Sequence, residues 1–381
     1  MRKVLITGGA GFIGSSLTRR LAAEGWEVTV LDNLSPQIHT DNPANSPLFC
    51  SIAGSAHFIR GDVTDRATLE CALAGQHAVV HFAAETGTGQ SMYQIDHYSR
   101  VNIGATSLML DILTNAPHSI KRIVVASSRS IYGEGKYLTA RHEAVFPGPR
   151  SAEDMSIGDF EPKVPGAGTL TATATDELSK IHPSSVYGIT KQVQEQLILT
   201  VCPAIGIEGV ALRYQNVFGP GQSLTNPYTG ILSIFSNLIM SGKPINIFED
   251  GRESRDFIFI DDVVEATVAS LIRADAANQV FNVGTGTPVD VETVARTLMR
   301  LLGREVDMRI SGDFRLGDIR NNYACMEKAR QLLGFAPRYD FETGIAAFTA
   351  WASASGPQES GYEKSIAEMK ARGLFMVADA A

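Results

Sequence analysis

The apolar run Val4-Leu5-Ile6 ends in glycines and reads as a buried strand. From Phe12 to Glu24 the apolar residues fall at helical spacing, with Ile13, Leu17 and Leu21 on one stripe. Further strands are predicted over residues 28–31, 57–59, 78–82 and 122–126, with a helix over 102–113. The same rhythm resumes at 209–213 and 280–283. Strands alternating with helices bury both faces of a parallel sheet, so the pattern predicts an α/β fold. No internal repeat interrupts it.

Two regions break the rhythm. Residues 133–185 are rich in Gly, Pro and Thr, and so long an irregular stretch is uncommon inside a domain unless it is functional or mobile. Residues 219–248, and the chain from 288 onward, mix helices with short strands. The expected division is therefore a large domain over 1–218, with 134–185 as an insert and 254–286 returning to it. A smaller C-terminal domain takes 219–253 and 287–376. The last residues, 377–381, read as a frayed end.

At 381 residues the chain suits one large and one smaller domain. Its formal net charge of −8 argues against general nucleic-acid binding, which needs a basic face, but leaves room for local arginine sites for phosphate. Cys50, Cys71, Cys202 and Cys325 are scattered, with neither zinc-ligand spacing nor the density of a disulfide framework. No metal is expected, and a reduced, cytoplasmic setting fits. No apolar run has the length of a membrane span, and the early glycines leave no signal-peptide core.

The first chemistry lies in Thr7-Gly-Gly-Ala-Gly-Phe-Ile-Gly14, between the first strand and the first helix. Gly8 allows a tight turn, Gly11 lets backbone approach a pyrophosphate, and Gly14 lets the helix pack closely on the sheet. Asp32 ends the second strand eighteen residues after Gly14, where a carboxylate accepts from both ribose hydroxyls and repels a 2′-phosphate. NAD is therefore expected over NADP. Asp62 follows the third strand and is read either as an acceptor for the adenine amino group or as a helix N-cap. Phe12, Ile13, Asn33, Val63 and Phe82, beside these positions, join the expected cofactor contacts.

The second chemistry is Tyr187-Gly-Ile-Thr-Lys191, which puts a phenol and an ammonium on one helix face. A free phenol titrates near 10, so it needs a neighbouring cation to act as a base at neutral pH. Ser128 ends the fifth strand, where ligands meet an open α/β sheet, and is expected to share a substrate hydroxyl with Tyr187.

With these in hand, the chain resembles the extended short-chain dehydrogenase/reductases, the group that holds UDP-galactose 4-epimerase and TDP-glucose 4,6-dehydratase. The likeness runs from residue 1 to about 340, through His81-Phe-Ala-Ala84, Asn102, Ser128–Gly133, Leu212–Gly221, Asp250–Asp256 and Arg315-Leu-Gly-Asp318. It implies a Rossmann-type doubly wound parallel sheet with a smaller C-terminal substrate-binding domain, binding NAD and a nucleotide-sugar. By resemblance, Tyr187 is the base and acid, Lys191 tunes it and holds the nicotinamide ribose, and Ser128 orients the sugar hydroxyl. Ala83, Ala84, Asn102 and Tyr214 would contact the cofactor. Thr86, Arg129, Ser130 and Asn216 would contact the substrate, and Arg255 and Arg315, with Asp318, its diphosphate. Read from the residues alone, each arginine has a surface ion pair as its alternative.

The dehydratases of this group carry Asp-Glu where this chain has Arg129-Ser130, so dehydration is not expected. Gln215 replaces a common Phe and Phe259 a common His, and Asn322 lies near the position that limits sugar size in 4-epimerases. Residues 85–93, 127–135 and 221–230 most resemble the TDP-L-rhamnose 4-epimerase type. The expected reaction is transient oxidation at C4 with re-reduction from the other face, on TDP-L-rhamnose and TDP-6-deoxy-L-talose, for cell-surface polysaccharide. Phe259 is a candidate for an apolar wall near C6. The alternatives are a 4-keto-sugar reductase and a non-catalytic NAD(H)-sensing protein. A homodimer through helices near 102–113 and 187–199 is expected by resemblance.

Overall fold

The computed structural model describes residues 2–40, 42–226, 228, 230–358 and 361–377. Of the end at 377–381 expected to fray, residues 378–381 lie outside them. Seven strands form one sheet: β1 Lys3–Thr7, β2 Glu27–Asp32, β3 His57–Arg60, β4 Ala78–His81, β5 Arg122–Ser128, β6 Glu208–Tyr214 and β7 Gln279–Val283. Their order across the sheet is β7-β6-β5-β4-β1-β2-β3, every neighbouring pair parallel. The chain reverses its direction of winding at β1, and a cleft opens there at the C-terminal strand ends. That edge carries Gly8, Asp32, Asp62, Ala83, Ser128 and Tyr214, and the register sets Ser128 opposite Tyr214.

Fully buried Val4, Ile6, Val30 and Val80 face one way, and Leu5, Leu31 and Val79 the other, because alternate strand residues point to opposite faces. The first set continues into the C-terminal assembly, where Phe218 packs edge-on against Phe257, Phe259 and Phe348. That assembly centres on strand Ser254–Phe259, paired with Asn216–Phe218, Pro288–Asp290 and Asn321–Asn322. Helices Ile231–Met240, Val291–Leu302 and Phe341–Ser355 cover it, and helix Tyr362–Ala371 closes its open end.

The segment read as irregular is more ordered than its composition suggests. Strands Lys136–Leu138, Ala144–Val145 and Thr171–Thr173 make a small antiparallel sheet. Arg150 and Glu134, each nearly unexposed, tie this insert to Glu249 of the C-terminal assembly. Among the described residues no helix is long and apolar enough to cross a membrane, and no three His, Cys, Asp or Glu cluster as a metal site.

Candidate active site

β1 runs straight into the glycine loop. Gly8 takes φ +69°, and a Cβ there would sit 2.8 Å from the Ala83 nitrogen. A Cβ on Gly14 would fall 2.2 Å from the Gly8 oxygen, so the close pass of helix α1 (Phe12–Ala23) over the loop requires glycine. Gly11 caps α1 without a side-chain bond and leaves the helix N–H groups turned to the cleft. A pyrophosphate is the group this cradle fits.

The cleft has a volume of about 390 Å³ and is lined by Gly8, Gly11, Phe12, Ile13, Gly14, Asp32, Asn33, Asp62, Val63, Phe82, Ala83, Ala84, Tyr187, Lys191 and Tyr214. The Asp32 carboxylate is aimed by two backbone donors, Ala10 N–H at 3.0 Å and Leu34 N–H at 2.9 Å. Asp62 accepts from Thr64 and from Asn33 Nδ2, and these bonds hold its carboxyl below its ordinary value although burial alone would raise it. The N-cap reading belongs to a neighbour: Asp65 caps the next helix by accepting from Thr68 N–H.

Asn102 is a correction. It does not line the cleft; its amide accepts from Glu85 N–H and donates to the Glu85 carbonyl and to Thr190. It ties the loop after β4 to the Tyr-Lys helix. Thr86, expected at the substrate, lines the cofactor cleft instead. His39 went unnoticed because the one-turn helix Pro36–His39 is too short to show a period. It is buried beside Asp32, its Nε2 4.0 Å from Oδ1, and burial lowers its basicity against the opposing pull of the Asp32 charge.

Helix α2 (Val186–Ala204) carries Tyr187 and Lys191. Gly188 lets it press against the turn after Ser128, where a Cβ would lie 2.7 Å from the Ser130 carbonyl oxygen. Burial pushes the Tyr187 phenol up, while the Ser128 hydroxyl and the Arg129 charge pull it back. Lys191 is buried, its ammonium donating to the Ala126 carbonyl at 3.0 Å and lying 5.9 Å from the Tyr187 ring. Desolvation brings it down to about 7. The Arg129 charge thus acts on the phenol from the substrate side, beside the Lys191 ammonium.

A second cavity of about 360 Å³ meets the first at Ser128, Tyr187 and Gln215. The buried side-chain amide of Gln215 has no partner among the described residues. Arg129, Ser130, Asn216, Arg255, Arg315 and Asp318 all line this cavity. Asp318 accepts from Arg255 at 3.1 Å and Arg315 at 2.7 Å, and both arginines hold its carboxyl well below the usual range despite burial. The ion pairs weighed for these arginines therefore exist, inside the cavity rather than on open surface.

Glu253 also lines this cavity, and burial pushes its carboxyl up to about 7. It stands one residue before strand Ser254–Phe259 and two before Arg255, so only an extended backbone continued past the strand would have signalled that both share a face. Phe259 is a second correction: it stacks on Tyr339 at 4.4 Å in the core and does not line the cavity. Asn322 is likewise buried outside it. Phe248, Val289, Ile366 and Met369 supply apolar wall that the sequence did not single out.

The pattern of the NAD dependent epimerase/dehydratase family matches residues 4–152 and 162–284. A dTDP-L-rhamnose 4-epimerase of Burkholderia thailandensis is 36% identical over 352 residues, 92% of this chain and 94% of that protein. MoeE5 in complex with UDP-glucuronic acid and NAD superposes with a TM-score of 0.73 at 29% identity, covering 93% of this chain and 99% of its own. The UDP-glucose 4-epimerase of Thermotoga maritima, with UDP-glucose, gives 0.74 at 26% identity with the same coverage.

Proposed function

The chain belongs to the NAD dependent epimerase/dehydratase family and is an NAD-dependent nucleotide-sugar epimerase, and from that premise we propose that it inverts C4 of TDP-L-rhamnose to give TDP-6-deoxy-L-talose. The observation that carries the substrate is the likeness to the Burkholderia enzyme along nearly its whole length.

Several features support the chemistry. The glycine loop, the α1 N-terminus and Asp32 hold NAD. When bound, NAD supplies a hydride acceptor and donor beside the sugar. Tyr187 takes the C4 hydroxyl proton and gives it back, and Ser128 holds that hydroxyl. Lys191, with a basicity lowered to about 7, is suited to pass a proton or to hold the ribose. Beyond Ser128 stand Arg129 and Ser130, and neither protonates a leaving hydroxyl as an acid would, so inversion is favoured over elimination. Ile366 and Met369 of the closing helix offer an apolar wall suited to a sugar without a C6 hydroxyl. We also propose a homodimer through the exposed face of α2.

The test is incubation with TDP-L-rhamnose, following the C4 proton by NMR and nicotinamide absorbance together. A new C4 epimer with no steady absorbance change is expected. Steady consumption of reduced nicotinamide on a 4-keto sugar, without an epimer, would make the protein a reductase. Preference for UDP-glucose over every TDP-sugar would defeat the substrate while leaving the chemistry.

A further inference from the structure

Three arginines line the substrate cavity, and they are not equivalent. Arg255 and Arg315 share Asp318. Arg129 has no carboxylate within ion-pair distance among the described residues. Its one side-chain hydrogen bond among the described residues runs from Nε to Asn216 Oδ1, a neutral acceptor, at 2.6 Å. Both Nη groups are left over, on a side chain whose backbone is fixed by the turn after Ser128, where Ser130 N–H donates to Ser128 Oγ at 3.1 Å. A half-buried guanidinium that lines the cavity without a counter-charge is a ready partner for an anion.

Charge and position identify that anion. Three guanidiniums less the Asp318 carboxylate leave a surplus of two positive charges when Glu253 is protonated. A nucleoside diphosphate sugar carries one negative charge on each phosphate. Without Arg129 the surplus would neutralise only one. The cavity also has a direction. Arg315 lies over the Phe248 ring at 5.4 Å, an apolar face suited to a base. Arg129 adjoins Ser128 at the other end, close enough to Tyr187 and to Arg255 for its charge to act on one and be acted on by the other.

We propose that Arg129 is a third anion-binding residue of this cavity, its Nη groups taking the phosphate that bears the sugar, beside the pair that Arg255 and Arg315 form with Asp318. The proposal rests on the chain's acting on a nucleoside diphosphate sugar. It gives the Arg129-Ser130 departure a use: a fixed cation holds the sugar at its phosphate while Asn216 holds the cation. Bidentate recognition of phosphate is what a guanidinium fork does well.

The experiment compares TDP with TMP, which lacks the sugar-side phosphate, and UDP with UMP in parallel, on wild type, Arg129→Gln and Arg129→Lys. NADH binding is measured on each as a check of folding. Arg129→Gln should weaken TDP by roughly tenfold or more, the range of one lost charge-assisted hydrogen bond, and TMP by less than about twofold. Arg129→Lys should recover part of the loss. Equal weakening of TDP and TMP would overturn the proposal in favour of a packing role. Unchanged TDP affinity with a fall in kcat would overturn it in favour of action on the sugar or Tyr187. A loss confined to UDP-glucuronate against UDP-glucose would mean that the anion is a C6 carboxylate. Wild type that binds neither TDP nor UDP would sink the underlying reading instead, before any variant is compared.

Discussion

Glu253 is 7% exposed, and its Oε2 has no partner among the described residues. Burial comes first in pushing its carboxyl up to about 7, with the Glu249 charge adding to it. Below that pH the group is neutral and the cavity keeps its full positive surplus. Above it the carboxylate forms beside Arg255 and opposes a diphosphate. Nucleotide-sugar affinity should therefore fall as pH rises through about 7, and Glu253→Gln should flatten the dependence; titration of TDP between pH 6 and 8.5 on both proteins measures it. An unchanged slope in the variant would assign the pH effect elsewhere. The linkage to folding has the same sign. A carboxyl raised in the folded state binds more protons there than in the unfolded chain, so stability falls as pH rises from the ordinary carboxylate range to about 7. Lys191, brought down to about 7 by desolvation, moves the other way, holding its charge only below that pH.

The insert works at the scale of elements. Arg150 grips both Glu249 oxygens, at 2.6 and 2.7 Å, with both side chains 2% exposed. Its Nη2 also donates to the Asp318 carbonyl at 3.1 Å, and Asp318 in turn aligns Arg255 and Arg315. Arg320 adds Asp250 and Glu161, the latter again from the insert. Arg150→Met alone would leave buried Glu249 only its longer Arg320 contact at 3.4 Å and take the guanidinium from buried Glu134, and should cost roughly 3 kcal/mol, whereas Arg150→Met with Glu249→Leu should regain part of that. Denaturant melts test this part. The double variant should still show a raised KM for nucleotide sugar, with kcat and NADH affinity changed much less, because the Asp318 backbone has lost its anchor. Wild-type KM in a stable double variant would reduce the insert to a purely structural clasp.

Across the whole molecule, α2 joins the reactive site to the outer surface. Tyr187 and Lys191 face the cleft, while Ile189 stands 47% exposed, with half-buried Val193 and Leu197 following at four-residue spacing. An apolar stripe beside a helix that carries the base is a surface that a second copy covers well. Light scattering should find a dimer for wild type, and Ile189→Glu with Val193→Glu should yield monomer that still binds NADH. A monomeric wild type at micromolar concentration would refute the assembly.

What the sequence determined by itself was local or periodic. The strand–helix rhythm, the glycine turn, Asp32 at the end of β2, and a phenol and ammonium four apart on one helix all follow from dihedral freedom and from the periods of strand and helix. These features act between residues close in the chain, or through the sheet order that their alternation imposes. What only the tertiary structure decided lies in contacts across long separations. Arg129 meets Asn216 over 87 residues and Arg150 meets Glu249 over 99, and no spacing announces either. Phe259 turned into the aromatic core, and Asn102 spent its amide on Glu85 and Thr190, because packing and hydrogen-bond demand at those points outweighed any single-residue preference. The same holds for charge: the composition sets the net −8, but only the fold gathers three arginines against one ionised aspartate in a single cavity.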